Sequence, residues 1–171
     1  LKNSAEVYIF DAGTDDRREH FHTNLRQALR ILATKLNAYP VPEVIDQQST
    51  SGDAGIDLVA INRLGDGAMG ILAYFAQSAA QQTGWPRKSL ETRKSAVFFT
   101  MGHLPTNLLC TPVLYRNAAG TWVNDFHSQD CVIFDRLRVL SAVRQMTHEI
   151  PIAVLNQIHA VVDEVSNAVT D

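Results

Sequence analysis

The sequence contains no apolar run that approaches the roughly 18 residues of a membrane-spanning helix. Its first residues, LKNSAEVYIFDAG, lack the basic start and the long apolar core of a signal peptide. It has only two cysteines, Cys110 and Cys131, and both lie in apolar runs, which is typical of buried thiols rather than of a disulfide. These absences favour a cytoplasmic protein without membrane contact. The first residue is Leu rather than Met, which leaves open that the sequence is part of a longer chain.

An excess of charge of either sign is also missing, because the formal net charge is −3 and charged residues make up 19% of the chain. A small negative net charge argues against non-specific binding to nucleic acid. The charge is unevenly spread, however: residues 80–145 carry 8 Lys or Arg and 4 Asp or Glu, whereas residues 146–171 carry no Lys or Arg and 4 Asp or Glu. The middle of the chain is therefore either a phosphate-facing surface or an ordinary solvated face.

The short motifs of several common enzyme classes are absent. There is no GxxxxGK[ST] and no GxSxG, and the glycine-rich segments GDAGID and GDGAMG do not follow a strand and open a helix. A nucleotide-binding loop is therefore disfavoured. The six histidines show no HExxH spacing, so a zinc site would need ligands from distant parts of the chain.

Apolar periodicity predicts helices at three places. Residues 17–37 place apolar side chains every three or four positions, and residues 151–169 repeat this pattern. Pro86 suits the first turn of another helix, which continues through RKSLETRKS.

Short runs rich in β-branched and aromatic residues predict the strands. The two most regular runs, 56–63 and 70–79, are separated by a glycine-rich turn and form a predicted hairpin. The other predicted strands are 6–10, 43–46, 108–116, 122–126 and the beginning of 131–140, which continues as a helix. Strands flanked by helices indicate an α/β fold with a mixed central β-sheet. With 46% hydrophobic residues, we expect one domain over 1–171, with a core at about 6–140.

The predicted hairpin carries two polar residues at one edge of two apolar strands, Asp57 and Gln77. A carboxylate and an amide oxygen are suitable ligands for a divalent cation such as Mg²⁺, which can activate water and neutralise charge on a phosphodiester. Glu43 and Glu19 are candidates for additional metal ligands, and the carbonyl of Ser78 is another.

Three interpretations of this edge stay open at this point. It is a metal site, or Asp57 caps a turn while Gln77 ends a strand with a satisfied amide, or Asp53 and Asp57 together serve a small-molecule phosphohydrolase.

The segments GDAGIDLVAI and GILAYFAQSA resemble the core of the PD-(D/E)xK, or restriction-endonuclease-like, nucleases. In the Mrr-like branch of that superfamily, a Gly-Asp-x-Gly-[Ile/Leu]-Asp strand is followed by a turn and by an apolar strand that ends in Gln-x-Lys. Residues 52–57 match the first part, and residues 77–79 match the second except at Ala79. The chain is also similar to bacterial proteins of this fold that read Gln-Cys-Ala and then Gly-Lys-x-Trp, and its IFDRLR segment resembles a recurring element of that group.

This resemblance implies a restriction-endonuclease-like three-layer sandwich and a Mg²⁺- or Mn²⁺-dependent endonuclease of double-stranded DNA. It also implies a homodimer or partner subunits in a bacterial defence system. Because Ala79 cannot supply an ammonium group, we expect Lys88, with its long stem, to act beside Asp57 and Gln77. If Lys88 does not reach the site, the chain is a catalytically inactive binding or assembly module on the same fold.

The same resemblance makes five residues candidates for DNA contact. Arginine and lysine side chains would contact phosphates, and a tryptophan would stack on a base. A core position for the tryptophan, and a role for the last two arginines as sheet-edge charges, stay open as alternatives. The candidates are Trp85, Arg87, Lys88, Arg136 and Arg138.

Overall fold

The computed structural model describes residues 5–64, 71–80, 88, 93–128 and 131–145. Within these ranges the strands are β1 (Glu6–Ile9), β2 (Tyr39–Pro40), β3 (Leu58–Asn62), β4 (Leu72–Ser78), β5 (Phe99–Thr100), β6 (Thr106–Cys110) and β7 (Val132–Phe134). The α-helices are α1 (Asp15–His20), α2 (Leu25–Lys35), α3 (Pro42–Ile45) and α4 (Arg136–Gln145). Short 3-10 helices occupy Ser95–Phe98 and Asp125–Ser128.

Five strands form one mixed sheet in the order β1-β3-β4-β6-β7. The pairs β1–β3 and β3–β4 are antiparallel, whereas β4–β6 and β6–β7 are parallel. Strands β2 and β5 form a separate antiparallel pair. The prediction of an α/β fold with a mixed central sheet flanked by helices is therefore confirmed.

One face of this sheet builds the main core together with α2. The helix begins at the cap Asn24, whose side chain accepts a hydrogen bond from the Gln27 amide, and its apolar stripe is fully buried. The strand residues in the same cluster are alternate positions of β3 and β4, as the period of two requires. They are Val59, Ile61, Ala73 and Phe75. This packing fixes the register of the β3–β4 pair.

The single helix predicted over 17–37 is wrong, because the chain forms α1 and α2 instead. Thr14 caps α1 and Asn24 caps α2, and the amide of Asn24 donates to Nδ1 of His22 in the link between the helices. A side chain that accepts from the backbone starts a new helix and interrupts the periodic pattern. Phe21 and Leu25 are nevertheless both buried, as the pattern requires.

Several short elements also differ from the predictions. The segment at 43–46 belongs to α3 rather than to an edge strand, because Pro42 suits the first helical position. Strand β6 ends at Cys110, two residues before Pro112, instead of continuing to Arg116. The predicted strand at 122–126 is reduced to an isolated bridge between Arg116 and Trp122 and the following 3-10 helix.

Contacts divide the chain into two compact units, Leu1–Arg136 and Leu137–Asp171. Of the second unit, only the remainder of α4 is described. The predicted helix over 151–169, the turn at 65–70 and most of the predicted helix from Pro86 lie outside the described residues, so the single-domain prediction stays a prediction. The described end of the helix from Pro86, at 93–94, is helical and leads into the 3-10 helix Ser95–Phe98. Across the described part of the chain, no helix combines the length and the apolar character that a membrane crossing requires.

Candidate functional site at the edge of the β3–β4 hairpin

Asp57 is held by backbone hydrogen bonds from both neighbouring strands. Its amide donates to the carbonyl of Ala76 over 2.9 Å, and its own carbonyl accepts from the amides of Phe10 at 2.7 Å and Asp11 at 3.1 Å. The side chain is fixed as well, since Oδ2 accepts from the Ser78 amide over 2.6 Å. The residue therefore has little freedom at the point where β1, β3 and β4 meet.

Gln77 lies on the strand beside Asp57. The pairing of β3 with β4 begins at Leu58, which pairs with Ala76. Asp57 bonds to the residues on either side of Gln77, since its amide donates to the Ala76 carbonyl and its Oδ2 accepts from the Ser78 amide. The Gln77 side chain is buried, with 5% of its surface exposed. The hairpin predicted from the sequence thus brings Asp57 to the strand segment that carries Gln77.

Burial of its carboxyl group raises the pKa of Asp57 above its ordinary value, and this effect outweighs the opposing hydrogen bond from Ser78. The negative charges of Asp53 and Asp11 raise the pKa further, whereas the charge of Lys88 lowers it. Lys88 is therefore within electrostatic reach of Asp57. Lys88 is partly exposed.

The acidic neighbours of Asp57 are not the ones that the sequence analysis named. Glu19 on α1 and Glu43 in the first turn of α3 are exposed, and neither is among the described charges that shift the pKa of Asp57. Their roles as metal ligands stay predictions. The sequence analysis missed Asp11, because its proximity depends on the antiparallel pairing of β1 with β3, for which the sequence carries no signal.

The turn before Asp57 has the backbone that its glycines predict. Gly52 and Gly55 have φ values of 94° and 77°, in the region that side chains disfavour, and Ala54 adopts 58°. Oδ1 of Asp53 accepts from the Gly55 amide over 2.7 Å, and Oγ of Ser95 donates to the carbonyl of Ala54 over 2.7 Å. These bonds define the path by which the chain enters β3.

Cys110 lies at the end of β6, where the parallel register sets it beside Ser78. Burial raises the pKa of its thiol, and the charge of Asp57 raises it further. Cys131 is buried, and its Sγ donates to the carbonyl of His127 over 3.2 Å. Both thiols are free, and Cys131 is buried as predicted, whereas Cys110 is only partly buried.

Apart from Lys88, four residues were predicted to contact DNA, and the structure describes two of them. Trp85 and Arg87 lie outside the described residues. Arg136 and Arg138 are exposed on α4, so the alternative role as sheet-edge charges is wrong, because β7 ends at Phe134. Nε of Arg136 donates to the carbonyl of Pro112 over 2.8 Å.

A hard divalent cation at this edge would have one strong charged ligand. Within the described ranges, no three His, Cys, Asp or Glu side chains lie close enough together to hold a metal ion. Mg²⁺ requires fewer protein ligands, because it commonly keeps several waters and binds through one or two carboxylates. The Asp57 carboxylate fits this requirement as the charged ligand, and the Gln77 amide oxygen and the Ser78 carbonyl, from the adjoining strand, stay the predicted neutral ligands.

Comparisons of the chain with protein-family models, with curated proteins and with solved structures found no match. The structure itself defines the class, an α/β protein with a mixed five-stranded sheet. A function for the chain must be argued from the residues of the chain.

Proposed function

We propose that the chain is a metal-dependent endonuclease domain that hydrolyses phosphodiester bonds of double-stranded DNA with Mg²⁺ or Mn²⁺. One observation carries this proposal: Asp57 is hydrogen-bonded to Ala76 and to Ser78, the residues on either side of Gln77, so a carboxylate and an amide lie on adjacent strands at the open end of the hairpin. The charge of Lys88 acts on the Asp57 carboxyl as well. A carboxylate, a neutral oxygen and an ammonium group are the components that phosphodiester hydrolysis requires.

In this proposal Asp57 and Gln77 would hold the cation, which would supply an activated water and offset the charge of the phosphate. Because Oδ2 of Asp57 accepts from the Ser78 amide, Oδ1 is the proposed ligand atom. Hydrolysis would add the hydroxyl of the water to phosphorus and its remaining proton to the sugar oxygen that leaves. Lys88 stabilises the negative charge that develops on the phosphate, in place of a lysine at position 79.

The proposed fold is the restriction-endonuclease-like three-layer sandwich. It is supported by the antiparallel β1–β3–β4 arrangement, which continues into the parallel strands β6 and β7. The resemblance of residues 52–57 and 77–79 to the nuclease motifs is the second support. A cytoplasmic location, a homodimer or partner subunits, and a place in bacterial defence belong to the same proposal.

DNA would approach from the side of Lys88, which is partly exposed. Arg87 and Trp85 are close to Lys88 in sequence, so we propose that they contact the DNA beside it. Arg136 and Arg138, exposed on α4, are proposed as phosphate contacts. Contacts of this kind neutralise the backbone without reading bases, so binding would be strongly dependent on salt.

A specific observation favours a second candidate, an inactive binding module on the same fold. Ala79, at the position of the motif lysine, is 4% exposed and belongs to the smaller apolar cluster with Leu109 and Ile133. A lysine there would have to bury its ammonium group in apolar surroundings, at a large cost. In the second candidate, this position has become part of the core and cleavage has been lost.

Incubation of the protein with supercoiled plasmid and Mg²⁺ or Mn²⁺ tests the proposal. We expect metal-dependent nicking that Asp57→Ala abolishes and that Asp46→Asn, which removes an exposed carboxylate paired with Arg30, leaves unchanged. Nicking that persists in Asp57→Ala would show that another site, or a contaminant, is responsible. Metal-independent DNA binding without any nicking would instead support the inactive module.

A further inference from the structure

The side chain of Arg17 is almost completely buried, with 1% of its surface exposed. Arginine is seldom buried to this extent unless its donors are satisfied. Here they bind backbone carbonyls: Nη1 donates to Phe10 over 2.6 Å, Nε to His22 over 2.8 Å and Nη2 to Gly52 over 3.4 Å. The guanidinium also lies 4.1 Å from the centre of the Phe10 ring.

These three carbonyls belong to different parts of the fold. Phe10 follows β1, His22 lies in the link between α1 and α2, and Gly52 begins the turn that leads to Asp57. The rigid, planar guanidinium has donors in a fixed geometry, so it can join three segments that share no regular secondary structure.

Two of these connections lead directly to Asp57. The carbonyl of Phe10 accepts from Arg17, and the amide of Phe10 donates to the Asp57 carbonyl over 2.7 Å. On the other side, Gly52 precedes Asp53, whose carbonyl accepts from the Ile56 amide over 3.1 Å. Arg17 thus restrains the backbone both across the sheet from Asp57 and before it in the chain.

The charge of Arg17 acts on the same group of residues. Burial lowers its pKa, and the negative charges of Asp53 and Asp11 oppose that shift. These are the two carboxylates that also act on Asp57. The donors of Arg17 are directed at carbonyls, so it brings a positive charge close to this acidic edge while its described hydrogen bonds go to the backbone.

We propose that Arg17 is a positioning residue of the Asp57 site: it joins the end of β1 to the Gly52 turn and so holds Asp57 against the end of β4 that carries Gln77, where a divalent cation would bind. The catalytic part of this inference rests on the proposed nuclease function, whereas the structural part does not.

Amide hydrogen exchange and Mn²⁺ binding, measured on Arg17→Met, Arg17→Lys and Lys35→Met, test the inference. Arg17→Met keeps the length of the stem and removes the charged donors. Arg17→Lys keeps the charge but loses the forked geometry, so it should rescue the site only in part. Lys35→Met is the matched control, because it removes a different cation from the same cluster of rings. The Lys35 ammonium lies 4.4 Å from the centre of the Tyr8 ring and 5.5 Å from that of Phe21, and Phe21 packs against Phe10.

We expect Arg17→Met to speed exchange at the amides of Ser78 and Asp11 by roughly tenfold to a hundredfold, with little change at β6 amides. The Mn²⁺ affinity should fall by about the same factor, as it does when groups that orient a metal ligand are removed. Lys35→Met should change neither, and Arg17→Lys should lie between. In a cleavage assay, Arg17→Met should lower kcat with little change in the KM for DNA.

Two results would overturn the inference. One is equal acceleration of exchange throughout the sheet, which would make Arg17 a general stabilising residue. The other is unchanged Ser78 exchange and Mn²⁺ affinity in Arg17→Met. If Arg17→Met does not fold, an Arg17→Lys variant with wild-type exchange and affinity would overturn it equally. A wild-type protein that cleaves no DNA would reject the proposed function but leave the exchange prediction standing.

Discussion

The backbone N–H of Ser78 donates to Oδ2 of Asp57 over 2.6 Å, across the open end of the β3–β4 hairpin. One carboxylate oxygen is thereby fixed by the neighbouring strand. Even so, burial dominates the electrostatics and raises the pKa of Asp57. A side chain that is costly to ionise but oriented by the backbone is typical of a group kept for function rather than for stability.

Asp57→Asn should therefore stabilise the protein at neutral pH. Because the pKa of Asp57 is raised in the folded state, its ionised form opposes folding above that pKa. The penalty disappears as the pH falls through the raised pKa towards the ordinary value. We expect a higher Tm for Asp57→Asn at neutral pH and a difference that shrinks in acid. Thermal unfolding across a pH series measures this, and a lower Tm of the variant at every pH would contradict it.

Lys88→Met should reduce DNA cleavage by about 10²–10³-fold in kcat, since it removes one group that stabilises charge in the transition state. The charge of Lys88 already acts on Asp57 in the absence of DNA. The matched control is Lys94→Met, which removes an exposed lysine just before the 3-10 helix at Ser95–Phe98. Equal losses in the two variants would indicate that Lys88 contributes only to general DNA attraction.

Gln77→Glu should convert the edge into a site with two carboxylates. Without metal, like charges at the ends of adjacent strands repel each other and a buried carboxylate is costly to ionise, so the Tm should fall at neutral pH. With metal, the additional charge should tighten Mn²⁺ binding by roughly tenfold or more. Gln47→Glu, at an exposed position, should change neither property. An unchanged Mn²⁺ affinity in Gln77→Glu would show that position 77 does not contact the cation.

Arg116→Ala should destabilise the fold strongly. Nε and Nη2 of Arg116 donate to Oδ2 and Oδ1 of Asp135 at 2.9 and 3.4 Å, and Asp135 is 0% exposed. Removing one partner of a buried ion pair costs about 3–5 kcal/mol. The exposed pair of Arg30 with Asp46 is the control, for which Arg30→Ala should cost less than about 1 kcal/mol. Similar losses in urea unfolding would contradict the assignment of a buried pair.

The parts of the site that the sequence predicted depend on local pattern. Alternation in 56–63, the apolar run at 70–79 and the short glycine-rich turn between them predicted the hairpin, which brings Asp57 to the strand that carries Gln77. The glycines before Asp57 likewise predicted a turn. The basic position Lys88 was found because it follows the hairpin closely in the chain.

The parts that were missed depend on contacts between distant segments. Asp11 approaches Asp57 only because β1 pairs with β3. In the sequence, Arg17 is one of several polar residues at the start of the predicted long helix, and nothing distinguishes it from them. Its burial follows from the break before Asn24, a capping event that apolar periodicity does not report. Short capped turns and pairings between distant strands are therefore where the sequence was least informative.

The central claim is that the edge formed by Asp57 and Gln77 holds a divalent cation. Calorimetric titration of the DNA-free protein with Mn²⁺ tests it most directly, with Asp57→Asn and Asp46→Asn measured alongside. The account predicts one Mn²⁺ per chain in the wild type and in Asp46→Asn, and no measurable binding in Asp57→Asn. Equal binding by all three proteins, or none by the wild type, would contradict it.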